Sequence, residues 1–257
     1  MFYDCNCLIG RWPFRPLALG DATALEAHLA DEGVTGAIVS NVESLFVLDT
    51  AETNARLLEN CVRSQRLSAA PILNLRMRNW PELLEACAAE TRTTAVRIHP
   101  NYHFYDLEHP AVDELARALA DRGMPLVVAP RVFDERLHNP RMKVAGIPMR
   151  DILALARRQP SLPVVCVNAY LREIRTAASD DGGLPGNLFF DIAFAEYFKT
   201  LETLLGEVPA NQLLFGSNAP IHATRAATMK VAWAEGVSEE VRVAVAAENA
   251  RSVFGIA

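Results

Sequence analysis

The stretch TAVRIHPNYHFYDLEHPAVDELARALADRGMPLVVAP, residues 94–130, decides the fold. Its two ends, TAVRIH (94–99) and PLVVAP (125–130), are short apolar runs. Residues 110–122 between them read as a helix that opens on Pro110, a favoured first helical position, and ends before Gly123. Near-continuous apolar runs joined by a helix suit parallel strands covered by helices. The same unit recurs in both directions along the chain. Further runs at 2–8, 34–40, 69–75, 163–168, 187–192 and 212–217 bring the strands to eight. Helical segments lie between them at 21–33, 50–65, 81–91, 148–158, 170–178 and 195–206, and two more follow at 221–235 and 238–254.

Strand–helix alternation repeated eight times predicts an α/β chain with a parallel sheet. Closing that sheet as a (β/α)8 TIM barrel removes its edges, and 257 residues match the roughly 250 typical of one such barrel. A doubly wound open sheet is the alternative, weakened by the lack of a glycine-rich phosphate fingerprint after the first strand. No low-complexity linker interrupts the chain, so one domain over 1–257 is expected.

Hydrophobic residues make up 51% and charged residues 22%, as in a globular protein with a large core. A net charge of −6 argues against a nucleic-acid surface, which needs a basic footprint. No apolar run reaches the roughly 20 residues of a membrane helix, and MFYDCNCLIGRWPF at the start has no basic signal-like region. Five scattered cysteines, Cys5, Cys7, Cys61, Cys87 and Cys166, read as reduced thiols of a cytoplasmic protein.

The site of a barrel is built from the C-terminal strand ends and the loops after them. Those positions hold Asn6, then Arg11 and Arg15; Arg97 and His99, with Asn101, His103 and Asp106; Arg131, with Arg136, His138 and Arg141; Asn168; Asp191; and Asn218, with His222 beyond. Five of the six histidines, those four and His109 but not His28, fall in or near these ends and loops. So many arginines at the mouth of an acidic chain point to a small anionic substrate, because the guanidinium fork matches carboxylate and phosphate. Arg11, Arg97 and Arg131, with Asn6, Asn168 and Asn218, are the candidate substrate-binding groups. The competing reading is that these arginines pair with nearby acids. Period-2 alternation in VRIHP puts Arg97 and His99 on the inward face and Val96 and Ile98 on the outward one. His99 is a candidate general base, as are Asp191 and His222. The same alternation places Cys5 and Cys7 opposite Asn6, under the helices, and no spaced partner pair makes them a zinc site. Neither a metal nor another cofactor is expected.

Four segments carry a resemblance: FYDCNCLIG at the first strand, AVRIHPNYHFYDL at the fourth, LLFGSNAP at the eighth, and ENARSVFGI near the C-terminus. Together they resemble the amidohydrolase-related branch of the amidohydrolase superfamily, which includes metal-dependent decarboxylases and dicarboxylate lactonases. The resemblance implies a barrel, often paired as a homodimer, with a divalent metal held by Asp-x-His-x-His on strand 1, further ligands on strands 5 and 6, and an Asp on strand 8. This chain departs from it. Asp4 is present, but Asn6 and Leu8 stand for the histidines, Arg131 or a neighbour and Asn168 for the later ligands, and Asn218 for the Asp. Leucine offers no ligand, and asparagine only a neutral carbonyl oxygen. The usual metal-hydroxide mechanism is therefore not carried over.

Three readings remain. The favoured one is a metal-independent hydrolase of a lactone or other ester- or amide-like bond in a small acidic substrate, since titratable and hydrogen-bonding residues persist at the mouth. The second is a non-catalytic barrel that binds a small anion, and the third a lyase or decarboxylase using the same pocket.

Overall fold

The computed structural model describes residues 1–14, 16–137, 139 and 142–256. Arg15, His138 and Arg141, which the sequence places among the basic mouth residues, lie outside the described residues.

The first half of the chain runs β1 (Phe2–Ile9), α1 (Ala22–Asp31), β2 (Val34–Asn41), α2 (Ala51–Arg63), β3 (Leu67–Ala69), α3 (Trp80–Ala88), β4 (Val96–Ile98), a single turn α4 (Pro100–His103) and α5 (Pro110–Ala120). The second half runs β5 (Leu126–Val128), α6 (Met149–Arg158), β6 (Val164–Cys166), α7 (Leu171–Ala178), β7 (Leu188–Asp191), α8 (Thr200–Leu205), β8 (Leu213–Leu214), α9 (Thr224–Ala232), α10 (Glu239–Val243) and α11 (Asn249–Phe254). Caps mark the helix starts that the sequence signals: the Asp21 carboxylate accepts the N–H groups of Thr23 and Ala24, and the Ser238 hydroxyl accepts that of Val241.

All ladders are parallel, in the orders β1-β2-β3 and β4-β5-β6-β7-β8. Backbone bonds close the two arcs into a barrel. Thr94 N–H donates to Ala69 O (3.0 Å) and Arg97 N–H to Pro71 O (2.9 Å), which joins β3 to β4. Cys5 N–H donates to Phe215 O (2.9 Å) and Leu8 N–H to Ala219 O (2.7 Å), which joins β8 to β1. The chain is thus a (β/α)8 barrel.

Two cores follow from the alternation of the strands. Val39, Val96, Ile98, Val128 and Val164 face outward and pack against Leu25, Leu57, Leu84, Leu115, Ile152 and Ile174 of the helices. Tyr3, Ile38, Val127, Val165 and Leu214 face inward, and Phe254 of α11 packs into the same cluster. Among the described residues no helix is long and apolar enough to cross a membrane.

Three local departures from strict pattern have identifiable causes. Strand β1 carries a bulge: Asp4 pairs with Ala37 but Cys7 with Val39, three residues against two. The extra residue breaks the alternation, so Cys5 packs inside the barrel with Val127 and Val165 while Cys7 packs outside. The expectation that both cysteines lie under the helices holds for Cys7 and fails for Cys5. Strand β3 ends at Ala69 rather than running to 75, because Pro71 has no N–H for the ladder. The buried Asn54 side chain completes it instead: Oδ1 accepts from Ile72 N–H (3.1 Å) and Nδ2 donates to Ile72 O (2.9 Å). The helix expected over 195–206 starts only at Thr200, after Lys199 in the left-handed region (φ 57°), and the last helix is interrupted by a π turn at Ala244–Glu248.

Asn54→Leu leaves the Ile72 N–H and C=O buried and unpaired, at roughly 1–3 kcal/mol for each group. The expected outcome is a fall in unfolding free energy of about 3 kcal/mol, read from the urea midpoint at constant m-value; a change below about 0.5 kcal/mol contradicts this account of β3.

Candidate functional site

The C-terminal ends of β1, β4, β6, β7 and β8 bring Asn6, Arg97, Asn168, Asp191 and Asn218 into one hydrogen-bonded chain. Each side chain is at most 2% exposed. Arg97 Nη2 donates to Asn6 Oδ1 (2.8 Å). Asn6 Nδ2 donates to Asn168 Oδ1 (2.6 Å) and to Asp191 Oδ2 (2.7 Å). Asn168 Nδ2 donates to Arg131 O (3.0 Å) and to Asn218 Oδ1 (3.2 Å), and Asn218 Nδ2 to Val132 O (3.1 Å). The orientation of every amide is forced. The guanidinium can only donate and the ionised carboxylate can only accept, which fixes Asn6, and Asn6 then fixes Asn168 and Asn218 in turn.

The backbone explains why asparagine serves here. Asn168 (φ 63°) and Asn218 (φ 55°) both take the left-handed conformation as the chain leaves the barrel. Asparagine and aspartate tolerate that region better than other side chains with a Cβ. Asp191 is held by Asn168 N–H on Oδ1 (2.8 Å) and by Asn6 on Oδ2. Burial pushes its carboxyl up to about 6, against the pull of those two donors. A Cβ on Gly216 would lie 2.6 Å from Asp191 Oδ2, so only glycine leaves room for the carboxylate. Asp4 Oδ1 accepts Asn6 N–H (2.9 Å) and Ser217 N–H (3.1 Å) and ties the β1 bulge to the end of β8.

Arg97 and His99 lie two residues apart at the end of β4, about 7 Å along the strand. Burial lowers the Arg97 guanidinium to about 10, which leaves it a cation at neutral pH. Its Nε has no partner among the described residues, and neither do the two ring nitrogens of the fully buried His99. Burial above all, then the charge of Arg97, holds the His99 imidazole well below its usual value, so it is neutral. Its ring stands edge-on to Tyr102 (6.0 Å between centroids, 89°).

An apolar layer covers this end of the barrel. Leu8, Trp12, Val42, Leu45, Ile72, Tyr102, Val132 and Ile221, all from strand ends or the segments after them, form one buried cluster. Trp12 packs on Phe46 (5.4 Å) and Phe133 (5.8 Å), and Phe46 on Tyr102 (6.0 Å).

Three sequence candidates stand apart from the chain of amides or are already committed. Arg131 is gripped by Glu173 through Nη1 (2.6 Å) and Nη2 (2.5 Å), donates to Asn168 O (3.0 Å), and lies 3.9 Å over the Tyr170 ring. The competing reading of the basic mouth, pairing with nearby acids, describes this arginine. Arg11 is exposed, its backbone N–H donating to Glu43 Oε1 (2.9 Å), beside a cleft of about 660 Å³ with Trp12, Phe14 and Leu17. His222 stacks on Phe194 (4.3 Å) in a separate cleft with Ser217 and Lys230. Nothing in the sequence pattern singled out Glu173, whose role depends on a contact across 42 residues. Nor did it single out Lys230, whose Nζ donates to the carbonyls of Ile192 (2.8 Å) and Ala193 (2.9 Å) just beyond Asp191. Gly216 could have been found from its place in FGSN. Among the described residues, no three His, Cys, Asp or Glu side chains form a group that could hold a metal ion.

Comparison with known proteins places these features in context. The family model described as amidohydrolase (Amidohydro_2) matches residues 22–256. A search of the curated proteins gives no match. Among solved structures, 5-carboxyvanillate decarboxylase from Sphingomonas paucimobilis superposes with a TM-score of 0.76 at 16% identity, over 100% of this chain and 99% of that one. The enzyme of the same name from Novosphingobium aromaticivorans, complexed with manganese and 4-hydroxy-3-methoxy-5-nitrobenzoic acid, gives 0.77 at 12% identity, over 100% and 96%. A dihydroxybenzoic acid decarboxylase from Polaromonas, with bound manganese and 2-nitroresorcinol, gives 0.71 at 14%, over 99% and 96%. At such identities the likeness is one of fold.

The neutral, buried His99 has a consequence for stability. Its folded-state pKa is depressed, so below about pH 6.5 the unfolded chain binds a proton that the folded chain does not. Stability present above that pH is lost as the pH falls through it. Asp191 shifts the other way and is common to both proteins in a comparison of wild type with His99→Gln. Between about pH 7.5 and about pH 5.5, wild type is expected to lose roughly 1 kcal/mol more unfolding free energy than the variant. Parallel pH profiles contradict a neutral, unpartnered His99.

Proposed function

The chain belongs to the amidohydrolase family, and from that premise we propose that it is a metal-independent member, hydrolysing a small acidic substrate with a fixed guanidinium in place of a metal ion. The observation that carries this reading is the pair of buried groups left without partners at the end of β4, the Nε–H of Arg97 and the ring nitrogens of His99.

The donor set does not fit a divalent metal. Of the positions where the family resemblance expects ligands, Asn6, Asn168 and Asn218 are hydrogen-bonded to one another, and Leu8 lies in the apolar layer. The acceptor of Asn6 is already taken by Arg97, whose charge repels a second cation. A transition metal wants imidazole, thiolate or carboxylate.

The remaining groups suit attack of water on an ester or lactone carbonyl. His99, neutral at pH 7, accepts the proton of the attacking water as the oxygen bonds to the carbonyl carbon. When the tetrahedral intermediate collapses, the C–O bond breaks and the imidazolium returns that proton to the leaving alkoxide, giving an acid and an alcohol. Arg97, anchored by Nη2 on Asn6, turns its Nε–H edge to the developing oxyanion, where a preorganised charge in a dry site is worth most. Asp191 has both oxygens occupied by N–H donors, so its part is to orient Asn6 and Asn168 rather than to take a proton. Substrate enters when the layer that holds Trp12, Phe46, Tyr102 and Phe133 parts. Arg11, Arg131 and His222 have no part in this step.

A second reading, loss of carbon dioxide from a planar acid, is favoured by the aromatic character of that layer. The manganese-bound structural neighbours are named as decarboxylases of aromatic acids. Water exclusion helps a carboxylate to leave, although a guanidinium beside it holds the ground state back.

The test is a panel of lactones, esters, amides and carboxylated aromatics assayed with EDTA present. The expected outcome is hydrolysis of a carboxylate-bearing ester or lactone that survives chelation and falls by about a hundredfold or more in Arg97→Met and in His99→Asn. Carbon dioxide release without hydrolysis supports the second reading. Binding of anions seen by thermal shift without any turnover makes the chain a binding protein.

A further inference from the structure

Polar groups also gather at the N-terminal end of the barrel, away from the site. Active sites of such barrels lie at the opposite end, so a reaction does not account for them. Tyr3 on β1 faces the lumen there. Ser68 on β3 pairs with Ile38 of the same lumen cluster and faces the same way. Gly36 lies opposite Tyr3 on β2, where a Cβ would sit 2.5 Å from Tyr3 Cε2, so only glycine leaves room for the ring. Thr93 and Thr94 lead into β4 beside β3, with Thr94 N–H donating to Ala69 O (3.0 Å). Consecutive strand residues face opposite ways, so one of these threonines looks into the lumen. The hydroxyls of both are buried without a partner among the described residues.

Two guanidiniums reach the same place. Arg251 of α11, half-buried, lies 5.8 Å from the centre of the Tyr3 ring, and its Nε is buried without a partner. Arg92, also half-buried, accepts Ala69 N–H on its carbonyl (2.7 Å), next to Ser68. Burial pushes the Tyr3 phenol up, while Ser68 and the charges of Arg251 and Arg92 pull it down. Among the described residues neither arginine has an ion pair. Yet acidic side chains outnumber Lys and Arg by 31 to 25, so carboxylates are not scarce. Two cations kept clear of them, beside unanswered hydroxyls, suit an anion that is not part of the chain.

We propose that this end of the barrel binds a small tetrahedral oxyanion of the phosphate class. Each guanidinium presents its N–H groups as a fork that matches two oxygens, and a threonine hydroxyl adds a further donor. Two forks and a hydroxyl address more oxygens than the two of a carboxylate, whereas phosphate offers four. Bound there, it answers Arg251 Nε and the hydroxyl. It also ties α11, which closes the barrel with Ala250 and Phe254 in the lumen, to β1 and β4. The place is distinct from the candidate substrate site. Thr93 stands four residues before Arg97, about 13 Å along the strand, and Cys5, Val127 and Val165 fill the lumen between. The inference therefore does not depend on the reaction proposed above.

Isothermal titration of the wild-type chain with sodium phosphate tests it, with sodium acetate at matched ionic strength as the control. The expected outcome is saturable binding of one phosphate per chain, with acetate bound far more weakly. The unfolding temperature rises along the same saturation curve. Arg251→Gln and Arg92→Gln, each with unchanged circular dichroism, are expected to weaken binding by about tenfold or more. Arg76→Gln, at an exposed arginine beyond β3, leaves it unchanged. Glycerol 3-phosphate separates the sources of the group: binding like that of phosphate assigns a phosphate carried on a larger molecule, and exclusion assigns the free ion. No saturable binding of phosphate, acetate bound as tightly as phosphate, or an affinity that survives both substitutions overturns the proposal.

Discussion

The contact between the Arg97 guanidinium and Asn6 Oδ1 organises the upper half of this barrel. A buried cation in a closed lumen needs fixed acceptors. Asn6 supplies one with its carbonyl and passes the demand on with its amide, donating to Asn168 and Asp191. Each later group then has one orientation open to it. The result is a self-consistent polar floor drawn from five strands, in which carbonyl and carboxylate oxygens meet N–H groups. The groups that remain unanswered, Arg97 Nε and the His99 ring, are at the edge of that floor and beneath the aromatic layer.

That arrangement rests on how the first strand is laid. The bulge between Asp4 and Cys7 lets two consecutive residues, Cys5 and Asn6, turn inward. Cys5 fills the apolar half of the lumen and Asn6 opens the polar half. Asp4 holds the bulge by accepting the backbone N–H groups of Asn6 and Ser217. Gly216, next to Ser217, makes room for Asp191. Strands β1, β7 and β8 are thus fitted to one another around two carboxylates, while Lys230 steadies the chain beyond Asp191 from outside the barrel.

Much of this was legible in the sequence because it depends on local pattern. The eight apolar runs, with Pro110 opening α5 and Ser238 capping α10, report strands and helices directly, and the strand ends gather Asn6, Arg97, His99, Asn168, Asp191 and Asn218 without further information. What was not legible depends on contacts distant in sequence. Whether Arg131 faces a ligand or an acid is decided by Glu173, from the far side of β6. Where β3 stops is decided by Pro71, and what replaces its ladder by Asn54 on α2. The face taken by Cys5 is decided by a bulge that strict alternation excludes. His222 follows the eighth strand as a catalytic residue could, yet it turns to stack on Phe194.

The central claim is that a guanidinium and a chain of amides stand where the family resemblance expects a divalent metal. Elemental analysis of protein purified without added metal, followed by thermal denaturation with manganese or zinc titrated in after chelation, tests it most directly. The account predicts no stoichiometric metal and an unfolding temperature that does not rise with either ion. Stoichiometric metal that survives chelation, or a saturable rise in unfolding temperature lost on substitution of Asn6, Asn168 or Asn218, would contradict it.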